Sequence, residues 1–344
     1  MASRVPPVVA RSASAPPTAP TQPQGLLTEL APVSAVAISN SDGNSWNQAF
    51  YIAVANALPP GVKLLQLISS NGNWGRPVED ELKSKWGRAR NDLVSLQLKV
   101  DSPWTRAFFP EFVLGPDGKL RTVEFEYEYE DADHAAPTIA KKLGLPHAKI
   151  DVKLEGGNLM VDQGRLFVSD KVLTSNPGQT REQILAKLKE GLGVKEVEIL
   201  PRMPGESTGH VDLFAKLVAP NTMLVTQSDN AVTEKTLSAT AKRFEALGYR
   251  VLRAKIGAEE PGKIAFSYTN SVIVNGVALI PSYAADMPDH PTKKKVSQRD
   301  AAAQKLYEGL GYKVVQIPSF TLSQAGGSIH CMIHQVPEGV SLKP

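Results

Sequence analysis

The 344-residue chain has a single cysteine, Cys331. No intramolecular disulfide can form, so nothing in its thiol content points to an oxidising compartment. The chain lacks an apolar run long enough to span a bilayer. Its N-terminus lacks a signal-peptide core, because prolines and polar residues break every apolar stretch. A strong charge of either sign is also absent: 38 basic residues face 35 acidic ones, for a net charge of +3, so no global field draws the chain to nucleic acid. The only dense basic run, Lys293-Lys294-Lys295, follows Pro288 and Pro291 and reads as a solvated loop. A nucleotide-binding glycine fingerprint is missing, so there is no reason to propose an organic cofactor. These absences describe a protein without nucleic-acid or membrane partners, expected in the cytoplasm. Targeting by the first residues and self-association are left open.

Residues 1–35 are rich in Pro, Ala, Ser and Thr, and the first acidic residue is Glu29. That composition resists packing and predicts a disordered tail, with residues 36–344 as a single domain. Five segments of that domain share one pattern, in which a helix end and a glycine lead into a β-rich run. They begin at Leu58, Leu143, Leu192, Leu247 and Leu310, with the glycines at 61, 144, 193, 248 and 311. Glycine suits the left-handed position that ends a helix. Helical spacing marks Arg181–Gly191 and Asp300–Gly309, whereas Leu159–Val168, Met223–Thr226 and Ser271–Pro281 read as strands, the last as a hairpin turning at Asn275-Gly276. The fold class is α/β, and the recurrence favours repeated ββαβ units over an ordinary doubly wound sheet.

Polar, glycine-rich segments recur after the repeat strands: Leu154-Glu155-Gly156-Gly157-Asn158, Gly209-His210-Val211-Asp212, and Gly326-Gly327-Ser328-Ile329-His330-Cys331. Units packed around a pseudo-axis would bring Glu155, His210, Asp212 and Cys331 to one cavity. A thiolate is the reactive form of cysteine, and an imidazolium nearby favours it. His210 can then deliver a proton to a leaving group. Carboxylates beside the thiolate oppose the oxyanion of ordinary acyl transfer but suit a cationic electrophile. Guanidinium is planar, permanently charged and rich in N–H donors, so Asp212 and Glu155 could hold it while Cys331 attacks its central carbon. Loss of an amine would leave a covalent thiouronium, and water would release a ureido product. His330 and His334 flank Cys331, but with no further ligand cluster they make a poor metal site. The acidic stretch from Glu124 to Asp133 reads as a solvated strand edge or as a lure for basic peptides.

These segments, with Ser267-Tyr268-Thr269-Asn270 and Val274-Asn275-Gly276, occur in an order that resembles the agmatine deiminase and bacterial-type peptidylarginine deiminase family, one of the guanidino-group-modifying enzymes. The resemblance covers roughly residues 45–340. It implies a pentein, or α/β propeller, of five ββαβ units around a pseudo-fivefold axis. It also implies Cys331 as nucleophile, His210 as general acid and base, Asp212 as a guanidinium-binding carboxylate and Glu155 as the glutamate beside the histidine. Gly326 and Gly327 would let the chain approach the substrate closely, while Asn270 matches a family position without an assignable role. The implied substrate is peptidyl-arginine, arginine or agmatine, with a slight lean to peptidyl-arginine from residues 210–217. An amidinotransferase using the same intermediate is the alternative.

The family's Trp-x-Arg-Asp segment reads here Trp104-Thr105-Arg106-Ala107. Trp104 and Arg106 match as candidate substrate-binding residues, Trp104 as site wall and Arg106 either on a substrate carboxylate or in a structural pair with an acid. Ala107 replaces an aspartate that also binds guanidinium. One lost charge-assisted hydrogen bond is worth about 1.5–3 kcal/mol, or roughly 10–100-fold in binding. On a strand, Glu111 would lie about 13 Å from position 107 and could not take its place. An introduced substitution, a different substrate or acceptor, and lost turnover with a retained site all remain open.

Overall fold

The computed structural model describes residues 24–40, 45–69, 92–100, 102–127, 132, 134–257 and 266–342. Five small sheets share one plan, an antiparallel strand pair followed by a helix and a third strand parallel to the second. β1 is Gly25–Leu26, β2 Val33–Asn40, β3 Lys63–Ser69, β4 Leu93–Leu98, β5 Glu111–Leu114, β6 Leu120–Glu126 and β7 His147–Lys153. β8 is Met160–Asp162, β9 Arg165–Ser169, β10 Glu196–Leu200, β11 Ala215–Ala219, β12 Thr222–Gln227 and β13 Arg250–Lys255. β14 is Val272–Val274, β15 Val277–Ser282, β16 Lys313–Pro318 and β17 Ile333–Pro337. The sheets run β17-β2-β3-β4, β1-β5-β6-β7, β8-β9-β10, β11-β12-β13 and β14-β15-β16. The first sheet therefore joins both ends of the domain, with β17 antiparallel to β2.

The five repeat glycines do what their pattern predicts. Gly61, Gly144, Gly193, Gly248 and Gly311 all have positive φ, from 61° to 91°. Each precedes the third strand of its unit, namely β3, β7, β10, β13 or β16. The helix predicted from Arg181 spans Arg181–Leu192 and opens on a Thr180–Gln183 capping box. Asn275 and Gly276 have φ of 44° and 84° and close the β14–β15 hairpin. The run expected as one strand over 159–168 is instead a hairpin, β8 and β9, turning at Gln163 and Gly164, both at positive φ.

Two further expectations need correction. Lys293–Lys295 is not a loop but the first turn of a helix over Lys293–Gly309, which starts earlier than the periodicity from Asp300 suggests. Its apolar stripe begins at the buried Val296, one turn after the lysines. Residues 24–35, placed in the tail by composition, are built into the molecule, while residues 1–23 lie outside the described residues. β1 pairs with β5, a turn closes from Thr28 to Ala31, and β2 starts at Val33. Leu26 and Leu27 enter two of the five apolar clusters, and Leu30 packs between two more. Four clusters thus meet one short strap.

The plan also positions chemistry. In each unit the segment between the third strand and the next unit's first strand carries the polar motifs. Trp104–Ala107 precedes β5, Glu155–Asn158 precedes β8, His210–Asp212 precedes β11, Asn270 precedes β14 and Cys331 precedes β17. The motifs therefore occupy equivalent places in five repeats.

Candidate active site

A cavity of about 370 Å³ opens where these segments meet, within the size range of small-molecule sites. Its wall includes Trp104, Ala107, Glu155, Gly157, His210 and Cys331. The sequence-predicted residues are brought together, each by a short rigid element.

Glu155 leads into a 3-10 turn over Gly156–Asn158, and His210 into another over Val211–Leu213. Glu155 Oε2 lies 3.0 Å from His210 Nε2. The two glycines of the first turn have separate reasons. A Cβ on Gly156 would come within 2.2 Å of the Arg106 carbonyl oxygen, and one on Gly157 within 2.5 Å of His210 Nδ1 and 3.2 Å of Asp212 Oδ2. Asn158 closes the motif by accepting from the Ser169 amide at 2.7 Å. Asp212 is held from behind, since its carbonyl accepts from Thr269 Oγ1 at 2.8 Å.

Cys331 sits on a short helix, Ile329–Met332, leading into β17. Its Sγ lies 3.9 Å from Asp212 Oδ2, and Asn270 Nδ2 donates to it at 3.3 Å. Asn270 Oδ1 accepts from the His330 amide at 2.9 Å, so one buried side chain ties the backbone and the sulfur of the cysteine segment together. That is the role its sequence position left open. Asp212 lies behind the cavity wall, 4% exposed, and its Oδ1 has no hydrogen-bond partner. An unmatched buried carboxylate oxygen is costly and unusual.

The charges are biased. Burial first, and then the Asp212 carboxylate, push the Cys331 thiol well up, with the Asn270 hydrogen bond acting the other way. For His210, burial opposes the charged ring, but the hydrogen bond and charge of Glu155, with Asp212 and Glu206 further off, outweigh it and raise its pKa. The free site thus favours a thiol beside an imidazolium.

Other expected residues take different places. Gly327 is not on the cavity wall. The Trp104 indole lies on it, and a Cβ there would come within 2.1 Å of the ring, so this glycine admits tryptophan rather than substrate. Gly326, at φ 106°, does line the cavity. The Arg106 guanidinium is turned into the protein. Its Nε donates to the Ile333 carbonyl at 3.1 Å, Nη2 to Gln335 Oε1 at 3.2 Å, and Nη1 lies 3.5 Å from Glu29 Oε1. Thr105–Phe108 is a helical turn, not a strand. Glu111 lies beyond it, 3.3 Å from His334 Nε2 and outside the main cavity, so it does not replace the missing aspartate.

Two site residues escaped sequence reasoning. His330, considered only as a metal ligand, bridges two carboxylates: Nδ1 lies 2.7 Å from Asp212 Oδ2 and Nε2 2.6 Å from Glu29 Oε1. Glu29 Oε2 in turn accepts from Lys216 Nζ at 2.6 Å. The one available hint was that Glu29 is the first acid after 28 residues without one. Among the described residues no group of three or more His, Cys, Asp or Glu side chains could hold a metal, and no helix is long and apolar enough to cross a membrane.

Five ββαβ units, each sending one segment to a shared cysteine-bearing cavity or to the wall behind it, define a pentein. Solved agmatine deiminases share the fold: that of Campylobacter jejuni has a TM-score of 0.72 at 18% identity over 92% of this chain and 97% of that one. That of Enterococcus faecalis has a TM-score of 0.75 at 20% identity over 92% and 96%. In sequence, the agmatine deiminase of Pseudomonas syringae pv. syringae is 27% identical, covering 73% of this chain and 79% of its own. The model of the Porphyromonas-type peptidyl-arginine deiminase family matches residues 28–337, and the chain belongs to that family of guanidino-group deiminases.

Proposed function

We propose that the protein is a cysteine-dependent deiminase that hydrolyses the guanidino group of an arginine-type substrate to a ureido group and ammonia. The observation that carries this reading is the Asp212 carboxylate beside Cys331. One oxygen lies 3.9 Å from the sulfur and the other accepts no hydrogen bond, an arrangement that suits an N–H-rich cation at the thiol.

In this reading the substrate supplies the charge the resting site lacks. A guanidinium against Asp212 offsets the carboxylate that disfavours the thiolate, and Cys331 gives up its proton to solvent in the cavity as the cation binds. Sγ then bonds to the guanidinium carbon. His210, kept protonated by Glu155, transfers a proton to one nitrogen, which leaves as ammonia. The resulting thiouronium holds the substrate carbon on sulfur. His210, now neutral, takes a proton from water as its oxygen attacks that carbon. The C–S bond breaks as the added hydroxyl becomes the ureido carbonyl, its proton passes to the leaving sulfur, and the product departs with the thiol restored and His210 protonated again.

Ala107 lines the cavity with a methyl group where the family has an aspartate. This favours a second reading, a guanidinium-binding protein with little turnover. The rest of the cavity wall bears on the substrate's far end. Lys153 and Lys171 line the cavity, and neither ammonium group meets a carboxylate among the described residues. Such a wall disfavours the distal ammonium of agmatine and favours a peptidyl-arginine or arginine carrying neutral or anionic groups there.

The test is to assay the protein and its Ala107→Asp variant for ureido product and ammonia with agmatine, arginine and arginyl peptides. Turnover by the unmodified protein that disappears in Cys331→Ser is the expected result, with Ala107→Asp lowering KM about 10–100-fold. Silence of both proteins on every substrate would overturn the deiminase reading. Turnover by the aspartate variant alone would favour the second one.

A further inference from the structure

Behind the cavity, the imidazole of His330 is 1% exposed and lies between two carboxylates. Each of its contacts, 2.7 Å to Asp212 Oδ2 and 2.6 Å to Glu29 Oε1, needs a proton between nitrogen and oxygen. A neutral imidazole carries only one. The chain Glu29–His330–Asp212 therefore holds two protons among three groups, with a net charge of −1. Lys216 Nζ, 2.6 Å from Glu29 Oε2, and Arg106 Nη1, 3.5 Å from Glu29 Oε1, supply the balancing cations. On the other side, Asp212 faces Cys331 Sγ, and the charges of Asp212 and Glu206 also act on that sulfur.

We propose that Glu29 and His330 are positioning residues for this site: their buried chain caps Asp212 Oδ2 with an N–H and leaves Oδ1, buried and without a hydrogen-bond partner, to receive the substrate cation. The inference rests on the reading of Cys331 as the nucleophile of a guanidino site. Asp212 Oδ2 is shared by the ring nitrogen and the sulfur. Uncapped, it would present its full charge to Sγ at 3.9 Å and oppose the thiolate, and the carboxylate would be free to turn. Glu29 cannot touch a substrate in the main cavity. It lines a separate small pocket with Thr28, His334 and Gln335 and reaches Asp212 through the His330 ring. The catalytic end is thereby completed by a residue some three hundred positions from the cysteine, carried on the strap that follows β1.

Cys331 is the only thiol, so its reactivity can be read on the whole protein without turnover. Alkylation by iodoacetamide is followed across pH for the wild type and for Glu29→Gln and His330→Gln. Steady-state kcat and KM with an arginine derivative are measured alongside, and folding is checked by thermal melting. Loss of a buried charge-assisted hydrogen bond typically costs roughly 10–100-fold. The inference predicts that the alkylation profile moves to higher pH in His330→Gln, with the thiol about tenfold or more slower near neutrality, and that kcat/KM falls by a similar factor in both variants while the melting curves show folded proteins. A merely structural role would lower the melting temperature and leave the thiol's pH profile in place. If His330→Gln does not fold, the near-isosteric Glu29→Gln decides alone. A folded His330→Gln protein whose alkylation profile lies within twofold of the wild type, or a folded Glu29→Gln protein whose kcat/KM does, overturns the inference. If the wild type proves unable to deiminate any substrate, the deiminase reading fails, while the alkylation comparison still decides the positioning role.

Discussion

Single residues in this site are set by what cannot be moved. Gly157 packs where a methyl group would press on His210 Nδ1 and Asp212 Oδ2 together. Gly157→Ala is therefore expected to displace both, lowering kcat/KM by at least about 100-fold, since misplacement of catalytic groups by an ångström can cost that much. The check is steady-state kinetics beside a melting curve, which should change far less. The Glu155–His210 pair makes a second prediction. Because Glu155 raises the His210 pKa, the proton needed for ammonia departure stays on the ring above the ordinary histidine value of about 6.5 and is lost as pH rises through the raised value. Glu155→Gln should move the alkaline limb of the pH–rate profile to lower pH. An unmoved limb would remove Glu155 from that role.

The residues legible in the sequence were those whose chemistry is local and conspicuous. Cys331, His210, Asp212 and Glu155 stand in glycine-rich segments that the folded chain gathers around one cavity and its back wall. Arg106 was legible as a charge but not in its direction, since three backbone and side-chain partners turn it inward. Glu29 was obscured by composition. Its neighbours resemble a disordered segment, and its partners are distant in the chain. Gly327 was recognised for its backbone freedom, yet the reason for it is an indole ring from another unit.

At the scale of elements, the five helix-ending glycines and the strands after them were readable because each depends on a few adjacent residues. The strap from β1 to β2 was not, because its order comes from tertiary contacts: Gly25 against the helix end at Gly193, Leu26, Leu27 and Leu30 among four clusters, and Glu29 on Lys216. Gly25 has φ of 110°, and a Cβ there would come within 2.4 Å of the Gly193 carbonyl oxygen. Gly25→Ala should cost about 1–3 kcal/mol of stability through backbone strain, a fall of roughly 1–4 °C in melting temperature for a chain of this size. Because Glu29 lies on the same strap, activity should fall beyond what the melting curve accounts for. A variant with wild-type melting and wild-type kcat/KM would show that the strap is not held as described.

The whole molecule explains why such distant residues can cooperate. Equivalent segments of five units precede β5, β8, β11, β14 and β17, and β17 closes back onto β2, so residues spread from 104 to 331 share one cavity or its back wall without any unit containing a complete site. A balanced surface charge and a single thiol leave that cavity as the place where covalent chemistry would occur. The most direct test is rapid quenching of the protein with an arginine substrate, followed by peptide mass analysis. Attack by sulfur with loss of ammonia predicts an adduct on the Cys331 peptide equal to the substrate mass less ammonia, absent in Cys331→Ser together with turnover. Ureido product formed by the Cys331→Ser protein at the wild-type rate, with no adduct on the wild type, would contradict the account.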